Sequence, residues 1–203
     1  MINRILKQST VFLLSGVFLA GCLTPSTIVP PKQYILAPDI PVSQSESVGL
    51  SLGMRALNTA RPYAKPNIAF LTEDNLLGYY PDVLWAEQPA TVLTRELLDV
   101  LDASGAFTDT GDAASMSRPD LVLTGELRKF HEERSGEGSS AVVEIRLELR
   151  NPKEAKLLWA ETISRSEIID GSGPEAVSAA MERTITAIVE QARFSMLEKL
   201  TNF

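Results

Sequence analysis

The run from Val143 to Arg150 restricts the fold more than any other stretch of the chain. Val143, Ile145, Leu147 and Leu149 alternate with Glu144, Arg146, Glu148 and Arg150. A period of two places the apolar side chains on one face of a β-strand and the charged ones on the other. One face of that strand must be buried, and the opposite face must be solvated or meet a partner.

The flanking segments extend this strand into a meander. Leu121 to Leu127 begins a strand that reaches Phe130 or beyond, and His131 to Gly138, rich in charge and glycine, reads as the hairpin tip. Asn151-Pro152-Lys153-Glu154 turns the chain into a third strand, Leu157 to Ile169, with Trp159 inward. Short connections favour antiparallel pairing. Upstream, Lys32 to Leu36, Val48 to Leu57 and Ile68 to Leu71 read as shorter strands. Ser43–Ser47 and Asp109–Pro119 read as polar loops, and Tyr79 to Ala86 as a run toward a helix.

Two helices complete the pattern. Pro89 suits a first helical position, where its missing N–H would have no partner. Val92, Leu93, Leu97, Val100 and Leu101 then recur at helical spacing until Gly105, which fits the position past a helix end. The spacing predicts a helix over Pro89 to Ala103. A second helix starts at Gly173-Pro174 and runs to about Leu200, with Val177, Met181, Ile185, Ile188, Ala192 and Met196 as its apolar stripe. One-sided helices and a one-sided sheet bury each other most simply as two layers. The expected fold is therefore α+β: a two-layer sandwich of a mixed, mostly antiparallel sheet with both helices on one face.

The N-terminus carries a different kind of signal. Arg4 and Lys7 precede an apolar run, Val11 to Phe18, too short to span a bilayer, which takes about 20 apolar residues. Leu19-Ala20-Gly21-Cys22 follows, in the order of a lipoprotein cleavage site. Residues 1–21 read as a signal peptide cleaved between Gly21 and Cys22, with Cys22 acylated. Leu23 after the cysteine, in place of the usual retention Asp, points to the periplasmic face of the outer membrane. Two or three acyl chains make such an anchor effectively permanent, whereas one binds only marginally. Residues 22–31, with Pro25, Pro30 and Pro31, form a tether reaching about 30 Å. Residues 32–203 form a single periplasmic domain.

Composition then removes several classes of function. The net charge is −7, and Arg4 and Lys7 leave with the signal, so nothing favours nucleic acid. Cys22 is the only cysteine and His131 the only histidine. An acylated thiol and one histidine in a charged hairpin give neither a metal site nor a nucleophile–base pair. No catalytic residue, metal or cofactor other than the covalent lipid is expected. Tyr79, Tyr80 and Trp85, clustered before the first helix, read either as core or as a partner-contact surface, where Tyr and Trp are enriched, and Glu144 and Arg146 on the wet strand face are further candidate partner contacts.

The chain resembles the ABC-type transport auxiliary lipoproteins. The resemblance rests on the Cys22 lipobox, Tyr34-Ile35-Leu36, Arg61-Pro62-Tyr63, Ile68-Ala69-Phe70 and the Tyr79-Tyr80 to Trp85-Ala86-Glu87-Gln88-Pro89 run. Leu101 to Phe107 and Asp120 to Leu127 with Phe130 complete it. It implies an auxiliary subunit that docks or bridges an ABC/MCE-type intermembrane lipid transport system. Its partners would be the membrane, an MCE-type periplasmic protein with its ABC transporter, and other copies of the chain as a homo-oligomer. The alternative is a lipoprotein regulator or assembly factor that activates an envelope enzyme such as a peptidoglycan synthase, since fold alone does not decide function. No spare lipid cavity is visible in the apolar pattern.

Overall fold

The computed structural model describes residues 30–136 and 138–201. Gly21, Cys22, the signal segment and the tether up to Val29 lie outside the described residues. Pro31 opens the compact unit to which the following elements belong.

The fold is built around one long strand. β7 (Leu121–Ser135) pairs along one edge with β8 (Gly138–Asn151), which pairs in turn with β9 (Lys156–Ile168); both pairings are antiparallel. The other edge of β7 is shared by three short strands that follow it in parallel. β2 (Ser51–Met54) pairs at Leu121–Leu123, β3 (Asn58–Thr59) at Glu126 and Leu127, and β4 (Asn67–Leu71) at Glu132 and Glu133. β5 (Leu77–Trp85) adds to β4 antiparallel, β1 (Lys32–Tyr34) adds to β5 in parallel, and β6 (Asp109–Asp112) adds to β2 in parallel. The sheet is thus mixed, with its long pairings antiparallel.

α1 (Pro89–Ala103) buries Val92, Leu93, Leu97, Val100 and Leu101, and α2 (Pro174–Thr201) buries Val177, Met181, Ile185, Ile188, Ala192 and Met196. These are the expected stripes. The helices touch each other; α2 lies on β8 and β9, while α1 reaches β6 and β7. Val143, Ile145, Leu147 and Leu149 are fully buried beneath them, together with Leu121, Leu123 and Leu127. Burying each large aliphatic side chain contributes about 1.5–3 kcal/mol, so this shared layer is the main source of cohesion. Gly105 ends α1 with φ +67°, a conformation that disfavours any residue with a Cβ. The segment entering the domain is fastened to α2: the Tyr34 hydroxyl donates to Glu175 at 2.6 Å, and the Ala37 amide donates to Glu182 at 3.0 Å.

Three expectations needed correction. The run from Tyr79 toward α1 is strand: Tyr79 to Trp85 belongs to β5, whose amides and carbonyls are taken up by β4 and β1, and α1 begins at Pro89. The segment from His131 is not a hairpin tip, because β7 continues to Ser135 and registers against β8 as far as Gly138. Residues Asp109–Asp112 are not loop: β2 supplies a parallel partner for them, and a turn follows. In each case a strand remote in sequence provides the pairing.

Candidate functional site

The inward and outward faces of β7 divide the candidate residues. Phe70 is registered with both Gly78 and Glu132, so these residues share the inner face with Tyr80, two positions beyond Gly78. Ala69 is registered with Tyr79, which therefore lies on the outer face. Glu144 pairs in register with Lys129, and Arg146 with Glu126, also outward. The structure brings Tyr79, Glu144 and Arg146 to one face and separates Tyr80 and Trp85 from them.

Trp85 is not a surface residue. It is 3% exposed and packs edge-to-face on Phe130, with centroids 5.7 Å apart. Its indole fills the core beside β1 and cannot reach a partner. Tyr80 is half-buried, and its hydroxyl donates to Glu132 Oε2 at 2.7 Å. Arg134 Nη2 donates to the same oxygen at 2.8 Å. The Arg134 guanidinium lies over the Phe70 ring at 3.6 Å and faces Tyr80 at 5.0 Å. Gly78 makes room for that stack, since a Cβ there would meet the Phe70 ring at 2.3 Å.

Glu132 is only 5% exposed. Burial pushes its carboxyl up, but hydrogen bonds from Arg134, Tyr80 and Ser139 outweigh burial and hold it below the usual carboxylate range. Burial raises the Tyr80 phenol, and the hydrogen bond to Glu132 raises it further. The group is a fixed ion pair with two aromatic walls, and it ties β4, β5 and β7 together.

His131, next along β7, points to the other face. It is 3% exposed, not the exposed hairpin residue that its charged neighbours suggested. Tyr63, in the short 3₁₀ turn Arg61–Tyr63, covers it with rings stacked at 5.6 Å and 13°. Tyr63 Oη lies 2.9 Å from His131 Nδ1. Burial holds the imidazole below its ordinary value, which suits a neutral ring whose Nδ1 accepts a hydrogen bond from the Tyr63 hydroxyl. Its side-chain hydrogen-bond partner is Tyr63 rather than a serine or cysteine, and among the described residues no group of His, Cys, Asp or Glu could hold a metal ion.

The same turn connects His131 to the outer face. The Tyr79 hydroxyl donates to the Pro62 carbonyl at 2.9 Å, and Lys65 sits 5.6 Å from the Tyr79 ring centroid. Beyond Tyr63, the outer face becomes a charged ladder. Lys129 pairs with Glu144 at 2.9 Å, while Glu148 accepts from Arg146 at 3.0 Å and from Arg150 at 2.9 Å. Arg150 and Arg146 hold the Glu148 carboxyl below its ordinary value. Asn58, Thr124, Glu126, Arg128, Arg146 and Glu148 line a shallow groove of about 420 Å³ here. It is a solvated, mixed-charge surface rather than a closed pocket.

The family model for the ABC-type transport auxiliary lipoprotein component matches residues 34–192, a span that contains both faces just described. Among solved structures, protein XCC0632 from Xanthomonas campestris is 19% identical and superposes with a TM-score of 0.74, covering 84% of this chain and 98% of its own. The hypothetical protein CT253 from Chlamydia trachomatis is 9% identical with a TM-score of 0.56, covering 78% of this chain and 100% of its own. At these identities the likeness shows the fold alone. No curated protein matches the sequence. Among the described residues, no helix is long and apolar enough to cross a membrane.

Proposed function

This chain belongs to the ABC-type transport auxiliary lipoprotein family, and we propose that it is the anchored docking subunit of an intermembrane lipid transport system. Membership makes it a membrane-anchored envelope protein and an accessory to ABC-type transport; the family is not an enzyme family. In the proposed arrangement, acylated Cys22 fixes the chain to the periplasmic face of the outer membrane. An MCE-type periplasmic protein, served by an inner-membrane ABC transporter, is held on the domain. Tyr79, Glu144 and Arg146 contribute to the holding face.

The family match across residues 34–192 carries this reading. The outer sheet face supports it: its ion pairs are partly exposed, so their charged atoms remain accessible to steer and orient a partner of complementary charge.

Affinity capture of the full-length lipoprotein from detergent-solubilised envelopes tests the proposal. An MCE-type protein with its permease and ATPase is the expected catch; recovery without any of them contradicts it. Cys22→Ala should abolish acyl labelling and remove the chain from the outer membrane fraction. Labelling that persists would overturn the anchor.

A further inference from the structure

A second concavity, about 590 Å³, lies at the sheet end where β2 and β6 finish and β7 begins. Its floor is apolar: Met116, Pro119, Val122 and Pro152. Its rim is cationic: Arg55, Arg118 and Lys153. The floor is shaped by the absence of one side chain. A Cβ on Gly53 would meet Pro119 Cγ at 2.8 Å and Ala113 Cβ at 2.9 Å, so glycine lets the 113–119 segment lie down on the sheet.

The rim charge is largely uncompensated. The nearby carboxylates are committed elsewhere: Asp120 Oδ1 accepts from Lys153 at 2.6 Å and Oδ2 from the Ser51 hydroxyl at 2.8 Å and the Ser51 amide at 3.1 Å, while Asp112 Oδ1 accepts from the Ala114 amide at 3.0 Å. The Arg55 and Arg118 side chains are exposed and make no hydrogen bond or ion pair among the described residues. Two free guanidiniums beside an apolar floor, in a chain of net charge −7, form a local reversal of sign. Guanidinium matches phosphate and carboxylate as a bidentate donor. The volume falls within the ~300–1,000 Å³ of small-molecule sites.

From this geometry we propose that the concavity binds a single-chain anionic amphiphile. Its phosphate or carboxylate head meets Arg55 and Arg118, and the first carbons of its chain lie on Met116, Pro119, Val122 and Pro152. The site is open, so it holds the head and nearby carbons and leaves the remainder of the chain outside. The inference stands apart from the docking role, because its test needs no partner protein.

The test is photocross-linking of the full-length lipoprotein in a non-ionic detergent with decyl phosphate carrying a diazirine on its chain. Decyl glucoside with the same diazirine is the neutral control, and inorganic phosphate is the competitor. Decyl phosphate should label peptides containing Met116, Val122 or Pro152, and the glucoside should label them far less. The Arg55→Ala/Arg118→Ala double variant should lose labelling about tenfold or more, the equivalent of one charge-assisted hydrogen bond. Arg55→Glu alone should lower it in a chain with unchanged thermal unfolding, which separates loss of the site from loss of the fold. Equal labelling by the glucoside, labelling undiminished in these variants, or complete displacement by inorganic phosphate at the same concentration as the probe would overturn the proposal.

Discussion

The two halves of β7 use their charged residues differently. From Leu121 to Leu127 the strand keeps strict alternation, with leucines beneath the helices and Glu126 facing water. From Phe130 to Glu132 both faces are covered, and His131 and Glu132 are buried. The difference lies in what β7 meets. β3 is short and leaves the outer face of the first half open, whereas the Arg61–Tyr63 turn covers the second half on one side and Phe70 and Tyr80 cover it on the other. Charge in the first half is a surface property. In the second half it is structural, because a buried carboxylate without partners is costly.

Truncations should separate the two halves clearly. Trp85→Ala removes the core contact of Phe130 and should cost about 3–5 kcal/mol in denaturant unfolding. If Trp85 were instead a partner contact, capture would fail while stability held. Glu132→Ala leaves the Tyr80 hydroxyl and Arg134 without their acceptor and should cost about 1–3 kcal/mol. A loss smaller than that of an exposed pair would erase the contrast.

A pH series sharpens the contrast further. The His131 imidazole is held below its ordinary value near ~6.5, so the unfolded chain binds the proton more readily. Its contribution is fully present above the unfolded value and declines as pH falls below it. Glu132, with a depressed carboxyl, loses its contribution in the same direction at lower pH, as pH falls through its folded value. The urea midpoint should therefore drop between about pH 7.5 and about pH 5.5, and His131→Phe should flatten that drop. On the open face, Arg146→Ala should change stability by only about 0–1 kcal/mol, since its pair with Glu148 is partly exposed.

The division of β7 also marks what was legible in the sequence. Where one segment decides its own environment, the pattern is legible locally. The Val143–Arg150 alternation, the Pro89–Ala103 helix and the Val177–Met196 stripe each carry their period internally, and the two-layer α+β fold follows from them. Where a distant segment decides, local composition misled. His131 to Gly138 is polar and glycine-rich, yet Tyr63, Phe70 and Tyr80, more than fifty residues earlier, bury its first part. Tyr79 and Tyr80 are neighbours in sequence, but consecutive strand residues face opposite ways, and only Tyr79 joins Glu144 and Arg146 outside. One local signal was available: Gly78 facing Phe70 marks a close approach inside a strand. The concavity ringed by Arg55, Arg118 and Lys153 draws on three separate segments, so no local pattern announces it.

The central claim is that the outer face of the sheet holds a transport partner while the covered half of β7 holds the fold. Affinity capture of the full-length Glu144→Ala/Arg146→Ala lipoprotein from solubilised envelopes, beside wild type, tests it most directly. The account predicts that wild type brings down an MCE-type protein with its ABC transporter, and that the double variant loses most of that capture while its unfolding midpoint stays close to wild type. Undiminished capture by the double variant, or a wild-type catch lacking every transport component, would contradict it.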